Sequence, residues 1–98
     1  SSNKSINVEF IQNFVASHFN LNIQELLSPR RSRSLARPRQ IAMYLAKQHT
    51  TNSLPDIGRK FSNRDHTTVI HAVKKISELL KKDSDIRESV TVLKKKLL

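Results

Sequence analysis

A chain of 98 residues has room for one compact core and not two, since domains cluster near roughly 100 to 150 residues. Its formal charge of +10, from 18 Lys and Arg against 8 Asp and Glu, calls for a polyanionic partner, with nucleic acid first among the candidates. Without cysteine there is no disulfide framework or Cys-type zinc site, and no signal-like segment or apolar run near the roughly 20 residues of a membrane span is present.

The chain opens on Ser-Ser rather than Met, so a piece of a longer protein is expected, with residues 1–5 a linker remnant and 6–98 the folded domain. Val8, Ile11, Phe14, Val15 and Phe19 recur at helical spacing and predict a helix over 7–19, ending near Asn20. Asn22 can cap a short segment that turns Ile23, Leu26 and Leu27 inward. SPRRSRS, residues 28–34, breaks the periodicity and predicts a loop, because Pro29 disfavours helix before it and the serines compete with the backbone.

The helical pattern resumes at Ala36, with Pro38 in the first turn and Ile41, Ala42, Leu45 and Ala46 on one face. SLPD, residues 53–56, places Ser53 as N-cap, Pro55 in the first turn and Asp56 three residues on, a variant of the capping box. Leu54, Ile57 and Phe61 of the short helix that follows point one way. A longer helix buries Val69, Val73, Ile76 and Leu80, and a last one carries Ile86, Val90, Leu93 and Leu97. No β-type alternation competes, so the expected fold is all-α.

Only Ser62, Asn63 and Arg64 separate Phe61 from Asp65, the length of link that joins the two helices of a helix-turn-helix. Asn63 tolerates the left-handed backbone needed to turn there without glycine. In such a unit the second helix enters the major groove by its N-terminal end, which here presents Asp65, His66, Thr67 and Thr68. A carboxylate accepts from the cytosine N4 amino group, an imidazole donates to a purine N7 or O6, and a threonine methyl packs on the thymine methyl. On geometry alone, capping the helix through the amides of its first turn is the favoured use of Asp65, although one oxygen can cap while the other reads a base, and the two threonines are equally suited to be ordinary first-turn residues.

No acidic residue falls between Glu25 and Asp56, whereas Arg30, Arg31, Arg33, Arg37, Arg39 and Lys47 do, which makes a segregated positive face suited to phosphates. An arginine of the loop can also reach the electronegative minor groove of A·T-rich DNA. Catalysis finds no support. His66 and His71 are five residues apart, about 140° around a helix, so they do not form a metal-binding pair. No nucleophile elbow or Gly-rich phosphate loop is present. His18 and His49 read as surface residues, and Gly58 as a site of close helix packing. Lys74, Lys75, Lys81 and Lys82 read as a solvated helix face, with Lys75 able to reach phosphate if the helix lies along the groove.

IGRKFSNRDHTTVIHAVKKI, residues 57–76, and RRSRSLARPRQIAMYLAK, residues 30–47, resemble the signature and the arginine-rich loop and helix of the C-terminal DNA-binding domain of the DnaA family, the bacterial chromosomal replication initiators. The resemblance covers about Val8 to Leu93. It implies a small helical bundle containing a helix-turn-helix, related in architecture to the Trp repressor, that binds duplex DNA at DnaA boxes of a replication origin. It also implies that Arg31 enters the minor groove while Asp65, His66 and Thr67 read bases in the major groove. Thr68 contacts the same region, and Leu54 and Pro55 pack near thymine methyls. Phosphate contacts are implied for Arg33, Gln40, Lys47, Arg64 and Lys75.

The same resemblance implies no enzyme activity and no cofactor in this chain, ATP, ADP and Mg belonging to a separate ATPase domain. It implies a cytoplasmic, nucleoid-associated protein without membrane contact through this domain, monomeric here and oligomeric through other domains. Two departures stand out: relatives often carry a basic residue where Pro29 stands and a glycine around Ser62 or Asn63. The rival readings are an RNA-binding basic helical module and, behind it, a surface for anionic membrane. Sparse aromatics weigh against recognition of single strands by base stacking.

Overall fold

The first helix, α1 (Val8–His18), is started by Asn7, whose side chain accepts from the Phe10 amide at 2.7 Å, and buries Val8, Ile11 and Val15 completely. It stops where Asn20 turns left-handed (φ 59°), so that the Leu21 amide reaches back to the Ala16 carbonyl at 2.8 Å and the Asn20 amide to Ser17, a Schellman closure without glycine. This computed structural model describes residues 6–98; the expected linker remnant at 1–5 lies outside the described residues. Asn22 and Glu25 form a reciprocal capping box on the one-turn helix α2 (Ile23–Leu26).

The third helix, α3 (Arg33–His49), begins three residues earlier than the sequence pattern predicts, which puts Pro38 beyond its first turn. Two features favour the earlier start. Burial of Leu35 rewards helix there, and the serine hydroxyls of Ser32 and Ser34 bond to each other at 2.9 Å instead of diverting the backbone. The helical partner that Pro38 cannot supply would belong to Ser34, an exposed residue.

Ser53 caps α4 (Leu54–Arg59) by accepting from the Asp56 amide at 3.2 Å. Only half of the expected capping box is made, because the Asp56 carboxylate is taken by Asn52 at 2.6 Å and Arg59 at 2.7 Å. The turn after α4 uses two consecutive left-handed residues, Ser62 (φ 60°) and Asn63 (φ 55°), where one was expected. The Arg64 amide donates to the Gly58 carbonyl at 2.8 Å and closes it. Then come α5 (His66–Lys82) and α6 (Ser84–Leu97), joined through Asp83, whose carboxylate accepts from the amides of Asp85 and Ile86.

Among the described residues there are six helices and no strand, an all-α bundle with a helix-turn-helix formed by α4 and α5. The central element is α3, packed on α1, α2, α4 and α5, with Ile41, Ala42, Leu45 and Ala46 fully buried. Ile57, Phe61, Val69 and Ile76, all fully buried, complete the core beneath the helix-turn-helix. Among the described residues no helix is long and apolar enough to cross a membrane.

Two histidines expected at the surface are half-buried. His18 stands edge-on to Phe19 with ring centres 4.8 Å apart, and His49, at the end of α3, has its Nε2 buried without a hydrogen-bond partner. Burial, and secondarily Lys94, hold the His49 imidazole below its ordinary value of 6.5. The folded-state value is the lower one, so the unfolded chain takes up this proton first and stability declines as pH falls below about 6.5. Thermal melts between about pH 7 and pH 5 should show a smaller loss of Tm in His49→Gln than in the parent chain. Glu9 and Asp56, whose values lie below 4.5 and 3.8, act beneath that window.

Candidate nucleic-acid interface

The N-terminal end of α5 is open to solvent. Asp65 occupies the N-cap position, yet its side chain makes no capping hydrogen bond; its Oδ1 lies 3.1 Å from His66 Nδ1 instead. The two side chains are 69% and 50% exposed, and Thr67 and Thr68 beside them are exposed too. Of the two uses open to Asp65, capping is therefore not made, which leaves a carboxylate oxygen free to accept from outside.

Across from this helix end lies the arginine-rich segment. An open groove of about 560 Å³ is lined by Arg31, Arg33 and Gln40 on one side and by Arg64, Asp65 and Thr68 on the other, so six residues singled out from sequence face one space. Arg31 and Arg33 are exposed. Gln40 is half-buried and accepts from Arg37 Nη1 at 2.7 Å through Oε1, which leaves its amide N–H groups for another acceptor. His71, not expected here, also lines the groove.

The positive face is smaller than the charge count predicts. Arg39 is only 6% exposed and donates to backbone carbonyls of the segment before α3. Burial, then the neighbouring Arg64, lower the pKa of its guanidinium. Arg64 is half-buried as well, donating from Nη1 to the Phe61 carbonyl at 2.8 Å and from Nη2 to that of Ser28 at 3.3 Å; burial, then Arg31, lower its pKa. Two of its five N–H groups are thus engaged within the fold.

A second hollow, about 290 Å³, lies between Lys47, Leu54, Ile70, Val73 and Lys74. It joins Lys47 and Leu54, both singled out from sequence, with Ile70, which was not. Ile70 is 41% exposed on α5, one turn past His66 and off the Val69–Ile76 stripe. The signal was legible: an isoleucine on the polar side of an amphipathic helix. Pro55 is exposed in the first turn of α4, and Lys75 is exposed farther along α5, outside both hollows. Among the described residues no group of three His, Asp or Glu side chains could hold a metal.

The sequence profile of the family described as "Bacterial dnaA protein helix-turn-helix" matches residues 8–76. The chain is 54% identical over 95 residues to the chromosomal replication initiator protein DnaA of Wolbachia pipientis wMel, covering 97% of this chain and 21% of that protein. It is 47% identical over 97 residues to that of Cereibacter sphaeroides, covering 99% and 21%. A crystal structure of a DNA replication initiation factor superposes with a TM-score of 0.79 at 35% identity, covering 91% of this chain and 27% of that one. The chain thus spans about a fifth of the length of the curated relatives it matches.

Proposed function

The chain belongs to the family of bacterial DnaA helix-turn-helix domains, and on that premise we propose that it binds duplex DNA sequence-specifically at the DnaA boxes of a replication origin. The start of α5 enters the major groove, where Asp65, His66 and Thr67 meet base edges and Thr68 stands beside them. Arg31 reaches from the loop into the adjacent minor groove. One observation carries the reading: Asp65, exposed, making no cap and paired with His66 at 3.1 Å, lines one groove with Arg31 and Arg33 of the arginine-rich segment.

The division of labour follows from side-chain chemistry. Asp65 accepts from cytosine N4 and repels acceptor edges, so it contributes discrimination more than affinity. Leu54 and Ile70, which share a hollow with Lys47, supply apolar surface for thymine methyls together with the exposed Pro55, and Lys47 is positioned for phosphate. Arg33, Gln40 and Lys75 add phosphate contacts, and Arg64 offers the N–H groups the fold leaves it. Each phosphate neutralised steepens the log–log salt dependence by roughly 0.9. In this reading the domain is a binding module, and ATP and Mg chemistry belongs to another part of such initiators.

A competition titration tests the proposal. A box-containing duplex should displace a labelled box at least tenfold more effectively than a scrambled duplex or a structured RNA of equal length. Equal competition by all three would remove sequence-specific duplex binding, and preference for RNA would replace it with recognition of A-form helices.

A further inference from the structure

The segment from Glu25 to Arg31 carries the arginine assigned to the minor groove, and its backbone leaves helical structure after α2. Arg39 lies beneath it. Its Nε donates to the Leu26 carbonyl at 2.8 Å and its Nη1 to the Arg30 carbonyl, while Nη2 donates to the Ser28 carbonyl at 2.7 Å and, at 3.1 Å each, to the Glu25 carbonyl and the Ser28 hydroxyl. Ser28 ties the segment to itself, donating to the Glu25 carbonyl at 2.8 Å. From the other side, the turn before α5 holds the same backbone. Ser62 Oγ donates to the Leu27 carbonyl and Arg64 Nη2 to that of Ser28.

The structure assigns Arg39 a positioning role: its fork fixes the arginine-rich loop to α3 and, through Ser28, in register with the helix-turn-helix, so that Arg31 and the start of α5 read their two grooves at a set spacing. Only arginine suits the task. Four carbonyls converge on a planar group with five N–H donors, whereas lysine offers three donors at a single point. A loop already ordered in its bound shape loses less conformational freedom when it meets DNA. This inference rests on the proposed placement of Arg31 in the minor groove.

The test is a mutant cycle on box and scrambled duplexes with the parent chain, Arg39→Lys, Arg31→Ala and the double variant. Arg39→Lys keeps the charge; it is expected to weaken box binding about tenfold, with scrambled binding within twofold and an unchanged salt slope. On the Arg31→Ala background the same change should cost less than twofold. A uniform loss on both duplexes, whatever the salt slope, would make Arg39 a general contributor to DNA affinity and overturn the proposal. A full tenfold loss persisting without Arg31 would overturn it too. Should Arg39→Lys fail to fold, Ser28→Ala removes one acceptor of the fork and enters the same cycle, with about a threefold effect that also disappears without Arg31. Arg31→Ala binding the box as tightly as the parent would refute the minor-groove placement itself, a result separable from the others, and this inference with it.

Discussion

Gly58→Ala is expected to lower the Tm by roughly 8 to 16 °C and to weaken binding by whatever fraction remains folded. A Cβ at this position would lie 2.2 Å from the Arg64 carbonyl oxygen and 3.2 Å from its carbon. Those are backbone atoms, unable to swing aside as the end of a flexible side chain would. Overpacking costs about 1 to 3 kcal/mol, and a clash with backbone belongs at the upper end. Alanine gains back about 1 kcal/mol in helix propensity. A net loss near 2 kcal/mol corresponds to roughly 8 to 16 °C in a domain of this size. The colliding residue immediately precedes Asp65, so relief of the clash displaces the start of α5. Thermal melts followed by box titration below the variant's Tm check both parts. A Tm within 2 °C of the parent would show that the turn yields without strain.

That glycine also shows what sequence can and cannot disclose. A glycine inside a helical pattern signals a close approach, and helix packing was the natural expectation; the neighbour is instead the backbone of the following turn. The helices α1, α5 and α6 were legible because one face of each repeats apolar residues at the helical period, and burial enforces that period. The start of α3 was not, because its first two residues, Arg33 and Ser34, carry no apolar signal and the energetic reward comes from Leu35, whose burial depends on the packed neighbours. The loop and the helix start were picked out by residue type alone, and they do line one groove. Charge was countable, but its direction was not: Arg39 and Arg64 count toward the net charge while their guanidinium groups serve backbone carbonyls that no pattern reveals.

His66→Ala is expected to cost about 1 to 3 kcal/mol on the cognate box and to relax base preference at the position it faces. The effect has two parts. The exposed imidazole is lost as a base contact, and Asp65 loses the partner 3.1 Å from its Oδ1, which frees a carboxylate to rotate and accept from alternative donors. Asp65→Asn separates them: an amide presents donors as well as an acceptor, so it should tolerate acceptor edges that the carboxylate rejects, with a smaller change in total affinity. Lys47→Ala provides the contrast. A point charge aimed at phosphate carries no base information, so its removal should weaken box and scrambled duplexes alike and reduce the salt slope by about 0.9. Binding measured against a panel of singly substituted boxes at two salt concentrations distinguishes the two behaviours. If His66→Ala lowered affinity evenly across the panel and left the preference profile of the parent intact, the start of α5 would not be reading bases, and the assignment of this helix to the major groove would fail.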